Sequence, residues 1–380
     1  MGITLCEDHQ LMVNAVRDFA RAELISRDVE WDHTETSCCI ELDQLYQMGL
    51  MSLRIPEELG GLSCPAVCYA HIIRELAYAS PSVAVTVSVH SMVCEILGEF
   101  ASEQVKAEIL PTFGEPGNLS AFAISEPNTG SDPASARTRA EKVDGGYRLN
   151  GTKMWVTNGI TGRWFVVLAR LSDGENANAL SMFLLDAQQA GVVRNIIHGK
   201  MGIRGSETAE MSLENAFIPG ENLLGEPGWG LRIALSALDG GRIGIASQAL
   251  GIACACIDLM VSYAKQRVQF DRPIAEFQAI QWMIADSQTE MMAAQQLVDR
   301  AAWLKDEGRA YTQAASMAKL YAGEAASRIA DRGVQIHGGY GYSNEFRVEQ
   351  LYRDARITRI YEGTSEIQRV VIARNLLGET

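Results

Sequence analysis

Apolar positions recur at helical spacing through the first 110 residues. Leu11, Met12, Val16, Phe19 and Ala20 share one predicted face, and AHIIRELAYAS at 70–80 repeats the habit. PTFGEPGN, 111–118, breaks the pattern with Pro and Gly. From about 119 to 220 the period shortens. YRLNGTKMWVT, WFVVLARL and ALSMFLLD are short runs rich in apolar, β-branched and aromatic residues, separated by Gly, Asn and Asp. No long helical pattern alternates with them, so a parallel nucleotide-binding sheet is not indicated, and a small antiparallel barrel or sandwich fits better. A second breaker cluster, PGENLLGEPGWG at 219–230, precedes renewed helical patterns, including WMIADSQTEMMAAQQLVDRAAWLKDEG at 282–308. The expectation is an α+β multidomain chain: a helical domain over 1–118, a β domain over 119–230 and a helical domain over 231–380.

The run IGIASQALGIACACI, 243–257, is bounded by Arg242 and Asp258 and falls short of the ~20 apolar residues of a membrane span. Its small residues predict a buried helix at the centre of a bundle or an oligomer core. In RIYEGTSEIQR, 359–369, Ser365 and Gln368 read as a capping box, which places Glu366 in the first turn of a helix. Glu362 precedes that helix beside Gly363, and pattern alone leaves it open between a solvated loop glutamate and a catalytic one.

Composition narrows the function. Hydrophobic content of 47% and charged content of 21% describe a globular protein, and the net charge of −14 opposes nucleic acid or an anionic membrane as main partner. The eight cysteines form no C-x-x-C and no metal-like pairing with His, so reduced thiols in a cytosolic or matrix compartment are expected, and no metal. MGITLCEDHQ has neither a secretory nor a transit pattern. There is no G-x-S-x-G, Walker loop or H-E-x-x-H.

Several patterns each admit a plain and a functional reading. HGGYGYSNE, 337–345, is a loop or a place where backbone approaches a bulky ligand. AISEPNTGSD, 123–132, offers Ser125, Ser131 and backbone amides to polar atoms, or is an ordinary turn. KMWVTNG, 153–159, sets Trp155 and Thr157 on one strand face, suited to a flat cofactor or to a sheet core. Arg242 and Arg267, the latter close to Phe270, bind phosphate or pair with acids.

Taken together, AISEPNTGSD, LNGTKMWVTNG, KMGIRGSET, GGRIGIASQALG, RVQF, QAIQ, QIHGGYGY and RIYEGTSEIQR follow the order and spacing of acyl-CoA dehydrogenases, and over essentially its whole length the chain resembles their short- and medium-chain, butyryl-CoA dehydrogenase-like branch. The resemblance implies a C-terminal four-helix bundle, a homotetramer and non-covalent FAD at a dimer contact. It implies that Ser125, Ser131, Trp155, Thr157, Thr364 and Glu366 hold FAD from one subunit, and Arg267, Phe270, Gln278, Gln335, Gly338 and Gly339 from its neighbour. Glu362 is implied as the base that removes the α-proton of an acyl-CoA thioester. Tyr361, Gly363 and Arg242 are expected on the substrate side, and electron-transferring flavoprotein is the expected acceptor. One branch takes its base from the position matching Gly241, where this chain has none to offer. Enoyl-CoA reductases and acyl-CoA oxidases share the scaffold, as do a few nucleic-acid-associated relatives. Asp271 stands where a glycine is usual, and Asp is among the residues that tolerate a left-handed backbone. Val83 occupies the place of the arginine that glutaryl-CoA dehydrogenases use for a distal carboxylate.

Overall fold

The computed structural model describes residues 5–172 and 178–378. Helix α1 (Glu7–Phe19) begins with Glu7 and Asp8 in its first turn, where the helix dipole favours them. It passes through a π-helical turn at Ala20–Leu24 into α2 (Ile25–Thr34). The buried stripe of α1 is Val13 and Val16, continued by Ala20 and Leu24, whereas Leu11 is 61% exposed. The expected face is thus rotated by part of a turn. After α3 (Asp43–Gln47), helices α4 (Ala66–Ala79) and α5 (Pro81–Phe100) are separated by Ser80. Its hydroxyl accepts from Val83 N–H while Pro81 takes the first helical position, so α5 starts sharply. Val83 itself is buried in the N-terminal core. Helix α6 (Glu103–Glu108) leads to the breaker cluster.

The sheet comprises β1 (Ser120–Ala123), β2 (Arg139–Val143), β3 (Gly146–Thr157), β4 (Trp164–Leu171), β5 (Leu180–Asp186), β6 (Val192–Ile196), β7 (Thr208–Pro219) and β8 (Leu223–Leu224). Its order is β6-β7-β3-β2-β4-β5-β8, with β1 on β4. It is mixed rather than purely antiparallel, because β1 and β2 both pair with β4 in parallel. The chain runs from β1 to β2 through a loop with one 3-10 turn at Pro133–Ser135 and reaches β4 by way of the antiparallel β3, so no α-helical crossover announces the parallel pairing. Strand β4 is buried on both faces. Phe165, Val167 and Ala169 enter the core of the sheet, and Trp164, Val166 and Leu168 pack towards α5 and α6.

Helix α7 (Gly230–Gln266) crosses the molecule, followed by the hairpin β9 (Val268–Gln269) and β10 (Arg272–Pro273). Then come α8 (Gln278–Asp306), α9 (Thr312–His337), α10 (Arg347–Ile357) and α11 (Ser365–Leu377). One apolar cluster joins α4, α7, α8, α9 and α10. Gly251 permits the α4–α7 approach, since a Cβ there would lie 2.6 Å from Ala77 Cβ. Helices α5 and α7 are long and apolar enough to cross a membrane, yet 78% and 83% of those stretches are buried inside the protein, so their apolar surface is spent on its interior.

Candidate active site

Glu362 has φ 55° and Gly363 has φ 87°. The left-handed region strains a glutamate, so its persistence requires outside restraint. Four hydrogen bonds from three donors supply it. Lys319 Nζ, from the middle of α9, donates to the Gly363 carbonyl at 2.6 Å. Gln368 Nε2 donates to the carbonyls of Glu362 and Gly363 at 3.1 and 2.9 Å. Ser365 N–H donates to Arg359 O at 3.0 Å. The cap of α11 is Thr364, whose Oγ1 accepts from Ile367 N–H at 3.3 Å, and not Ser365, which is buried in the first turn. Gln368 does reach back, as a capping-box glutamine would, but to carbonyls of the loop.

This clamp leaves the Glu362 carboxyl group pointing inward, with Oε2 buried and without a hydrogen-bond partner. Burial pushes its pKa up to about 7, against the charges of Arg242 and Lys319, which pull it down. Lys319 is 1% exposed. Burial pulls its own pKa down to about 8, while the Glu362 charge works the other way. A Cβ on Gly241 would meet Glu362 Oε2 at 2.6 Å, so the alternative base position implied by the resemblance occupies the same point in space and here carries no carboxylate. Arg242 is 3% exposed, pairs with Asp239 and donates to Ser316 Oγ at 3.2 Å. It is directed into the bundle, close enough for its charge to act on Glu362. Tyr361 donates to Gln248 Oε1 and packs against a small apolar cluster of Val85, Val89, Ile203 and Ile245.

The pH dependence follows from these charges. A raised carboxyl pKa keeps Glu362 protonated below pH ~7, and only the carboxylate accepts a proton. The kcat/KM for an acyl thioester is expected to fall about tenfold per pH unit on the acid side of that value, measured as initial rates between pH 5 and 9. A limb near 4.5 would mean an exposed, unperturbed carboxylate.

The second group of residues lies on the sheet. Met154 N–H donates to Ser125 O at 2.9 Å, which ties the loop after β1 to the end of β3. Beneath that join, Lys153 is 0% exposed and donates to Glu126 Oε1 at 2.8 Å. Burial alone would raise the Glu126 carboxyl, but Lys153 and Thr138 hold it at about 2. A register shift between Lys153 and Val156 sets Trp155 at φ 61°, with 62% of the residue exposed, and Thr157 is half-buried one alternation further on. Ser131 lies exposed in the same loop. An indole held open to solvent by a bulge, flanked by hydroxyls on a fixed loop, fits the face of a flavin.

The third group sits at the far end of the bundle. Phe270 and Asp271 have φ 52° and 63°, in accord with the expectation that Asp271 replaces a left-handed glycine. Phe270 is 87% exposed and meets Phe277 edge-on, while Arg267 lies over the Tyr340 ring at 5.4 Å. Gly338 and Gly339 offer bare backbone, since a Cβ on either would meet nothing within 4 Å. Gln278 opens α8, and Gln335 lies in the last turn of α9. A half-buried cation, an exposed aromatic ring and open backbone suit a phosphate-bearing nucleotide. Gln335 lies roughly 24 Å along α9 from Lys319, at 1.5 Å per residue. Thr364 and the exposed Glu366 stay with the Glu362 loop at the start of α11.

Sequence reasoning missed Lys319 and the reach of Gln368. A signal for Lys319 exists: Ala315, Ala322, Ala326 and Ile329 form the buried stripe of α9, and a lysine inside that stripe needs a buried acceptor.

Family models described as the acyl-CoA dehydrogenase N-terminal, middle and C-terminal domains match residues 6–115, 121–216 and 228–377. The chain is 41% identical over 377 residues to the short-chain specific acyl-CoA dehydrogenase, mitochondrial, of Mus musculus, covering 99% of this chain and 92% of that one. It superposes on the butyryl-CoA dehydrogenase of Megasphaera elsdenii with TM-score 0.95 at 37% identity, covering 99% and 100% of the two chains. A chain of a structure described as the electron transferring flavoprotein of Acidaminococcus fermentans matches with TM-score 0.96 at 37% identity, covering 99% and 100%.

Proposed function

The chain belongs to the acyl-CoA dehydrogenase family, and we propose that Glu362 is the base of its FAD-dependent reaction, the oxidation of a short acyl-CoA thioester to the trans-2-enoyl thioester. The observation that carries this assignment is the buried, unpartnered Glu362 Oε2 on a clamped left-handed loop, with a pKa near 7. A base poised near neutrality both accepts the α-proton and gives it up to solvent afterwards.

Bound FAD supplies the acceptor for the hydride that leaves the β-carbon. The rest falls to the protein. Lys319 and Gln368 fix the loop, so the carboxylate arrives without reorganisation. The Glu362 N–H makes no backbone hydrogen bond among the described residues, which leaves it free to hold the thioester oxygen as negative charge develops there. Tyr361, fixed by Gln248, and Gly363 wall the same place. Arg242 and Lys319 favour the carboxylate form that burial opposes.

Trp155, Thr157, Ser125, Ser131, Thr364 and Glu366 would hold the flavin half within one subunit. Arg267, Phe270, Gln278, Gln335, Gly338 and Gly339 of a second copy would hold the nucleotide half, which the length of α9 between the two groups supports. The site is complete only in an oligomer, and a homotetramer is the proposed form. Arg267→Ala is expected to purify with most of its FAD lost and with a smaller apparent mass in size-exclusion chromatography. An FAD-replete tetramer would refute the shared site. Electron-transferring flavoprotein is the proposed acceptor, and a bacterial cytoplasm or mitochondrial matrix the proposed compartment.

The base assignment is tested apart from redox chemistry by following deuterium exchange at the α-carbon of a substrate analogue that cannot be oxidised. Exchange in the wild type and none in a Glu362 variant is expected. Equal exchange in both would place the base elsewhere.

A further inference from the structure

A buried guanidinium and a buried carboxylate oxygen lie near each other at the base without bonding. Arg242 follows Gly241 on α7, the position whose Cβ would stand 2.6 Å from Glu362 Oε2, and its charge is the foremost one acting on Glu362. Away from water such opposite charges attract strongly. Yet Arg242 Nε and Glu362 Oε2 are each buried with no hydrogen-bond partner. Among the described residues the carboxylate that Arg242 does pair with is Asp239, one turn earlier on α7. A ladder of contacts from α9 holds this arrangement. Thr312, Ser316 and Lys319 recur at helical spacing on one face of α9. The Thr312 hydroxyl donates to Asp239 Oδ2, Ser316 Oγ accepts from Arg242 Nη1 at 3.2 Å, and Lys319 Nζ donates to the Gly363 carbonyl at 2.6 Å. Arg242 and Lys319 are thus both engaged by acceptors other than the Glu362 carboxylate.

Resting on the assignment of Glu362 as base, we propose that Asp239 is a positioning residue of the reaction: it withholds Arg242 from Glu362, so that the carboxylate stays free to take the α-proton. Two carboxylates compete for one cation. A carboxylate in a direct salt bridge is a poor base, because protonating it breaks the pair. A buried carboxylate with no cation nearby stays protonated at neutral pH, because burial disfavours its charge. A guanidinium kept close but bonded elsewhere gives the condition between these extremes. The surrounding groups single out Arg242 as the link. Glu362 is acted on by Arg242 from α7 and Lys319 from α9, with Tyr361 beside it and Tyr69 facing it from α4. Asp239 is acted on by Arg242 and by Lys305 of α8, which itself pairs with Glu95, and it faces Tyr311 and Thr312 at the start of α9. Arg242 is the cation that acts on both carboxylates.

The test follows α-deuterium exchange into a substrate analogue that cannot be oxidised, as a function of pH, on FAD-loaded wild type, Asp239→Asn, Arg242→Met and the double variant, with melting temperatures alongside. In Asp239→Asn the released guanidinium bonds Glu362. The acid limb is then expected to move from about 7 down by about 1–3 pH units, and the plateau above it to fall, since a weaker base abstracts the proton more slowly. In the Arg242→Met background the same substitution is expected to leave the limb in place, because no cation remains to be released. Thr312→Val unties Asp239 without removing its charge. It should shift the limb the same way by less, and it carries the test where Asp239→Asn does not fold. A limb unmoved in Asp239→Asn and in Thr312→Val, with only the melting temperature lowered, would reduce Asp239 to a structural role and overturn the proposal. An equal downward shift in the Arg242→Met background would overturn it too, since Asp239 would then act on Glu362 directly. Exchange that persists undiminished in Glu362→Gln would instead remove the base assignment itself, and the proposal with it.

Discussion

Glu362→Gln is expected to keep its FAD and to lose kcat by a factor on the order of 10²–10⁴, the usual worth of a positioned general base. The amide has the shape of the carboxylate and no useful basicity. The loop should persist, because Lys319 and Gln368 grip the backbone carbonyls of Glu362 and Gly363 rather than the carboxylate. Removing the charge also relieves a buried anion whose Oε2 has no hydrogen-bond partner, so thermal stability should hold or rise slightly. Flavin absorbance per subunit, melting temperature and turnover read these effects separately. A variant with wild-type turnover would remove Glu362 from the chemistry. A variant that lost FAD would show that the side chain, not only the backbone, maintains the site.

Lys153→Met is expected to cost about 3–5 kcal/mol of stability and to loosen FAD, since it strands the Glu126 carboxylate, which is 8% exposed, without its cation. Glu126 would keep the N–H groups of Arg137 and Thr138 and the Thr138 hydroxyl, so the loop carrying Ser125 and Ser131 is weakened rather than released. The sign with pH is fixed. The Glu126 pKa is held at about 2, below its ordinary 4.5, so its stabilising contribution is fully present above pH 4.5 and fades as the pH falls towards 2. Much of that contribution depends on Lys153. The double variant Lys153→Met, Glu126→Gln should recover most of the loss, because an amide tolerates the site better than an unpaired charge. Urea unfolding of the three proteins at pH 7 measures this. A single variant within ~1 kcal/mol of wild type would show that water reaches Glu126 and that the pair is not the anchor of the loop.

The succession of helix, sheet and helix was legible because two Pro/Gly clusters separate regions of different apolar period, and burial enforces those periods locally. Parallel pairing of β1 and β2 with β4 was not legible, because strand direction is a long-range property and the connecting loop has no helical pattern. The helix face around Leu11 was misplaced because α1 buries Val13 and Val16, which leaves Leu11 to one side of the stripe and 61% exposed. At α11 two adjacent cap-competent residues, Thr364 and Ser365, left a one-residue ambiguity that only the Thr364–Ile367 bond resolves. Asp271 was readable, since a residue type that tolerates positive φ stood where glycine is usual, and its φ is 63°. Local pattern could not tell Glu362 from a loop glutamate. What marks it out is the company it keeps, with Lys319 from α9, Arg242 and Gly241 from α7 and Gln368 from α11 converging across long stretches of chain.

The most direct test is an anaerobic titration of the FAD-loaded wild-type protein with butyryl-CoA, following flavin absorbance and the thioester product together. Stoichiometric bleaching with formation of the trans-2-enoyl thioester is predicted, rapid above pH 7 and slowed below it. An oxidised spectrum that persists at every pH, with FAD fully bound, would contradict the account.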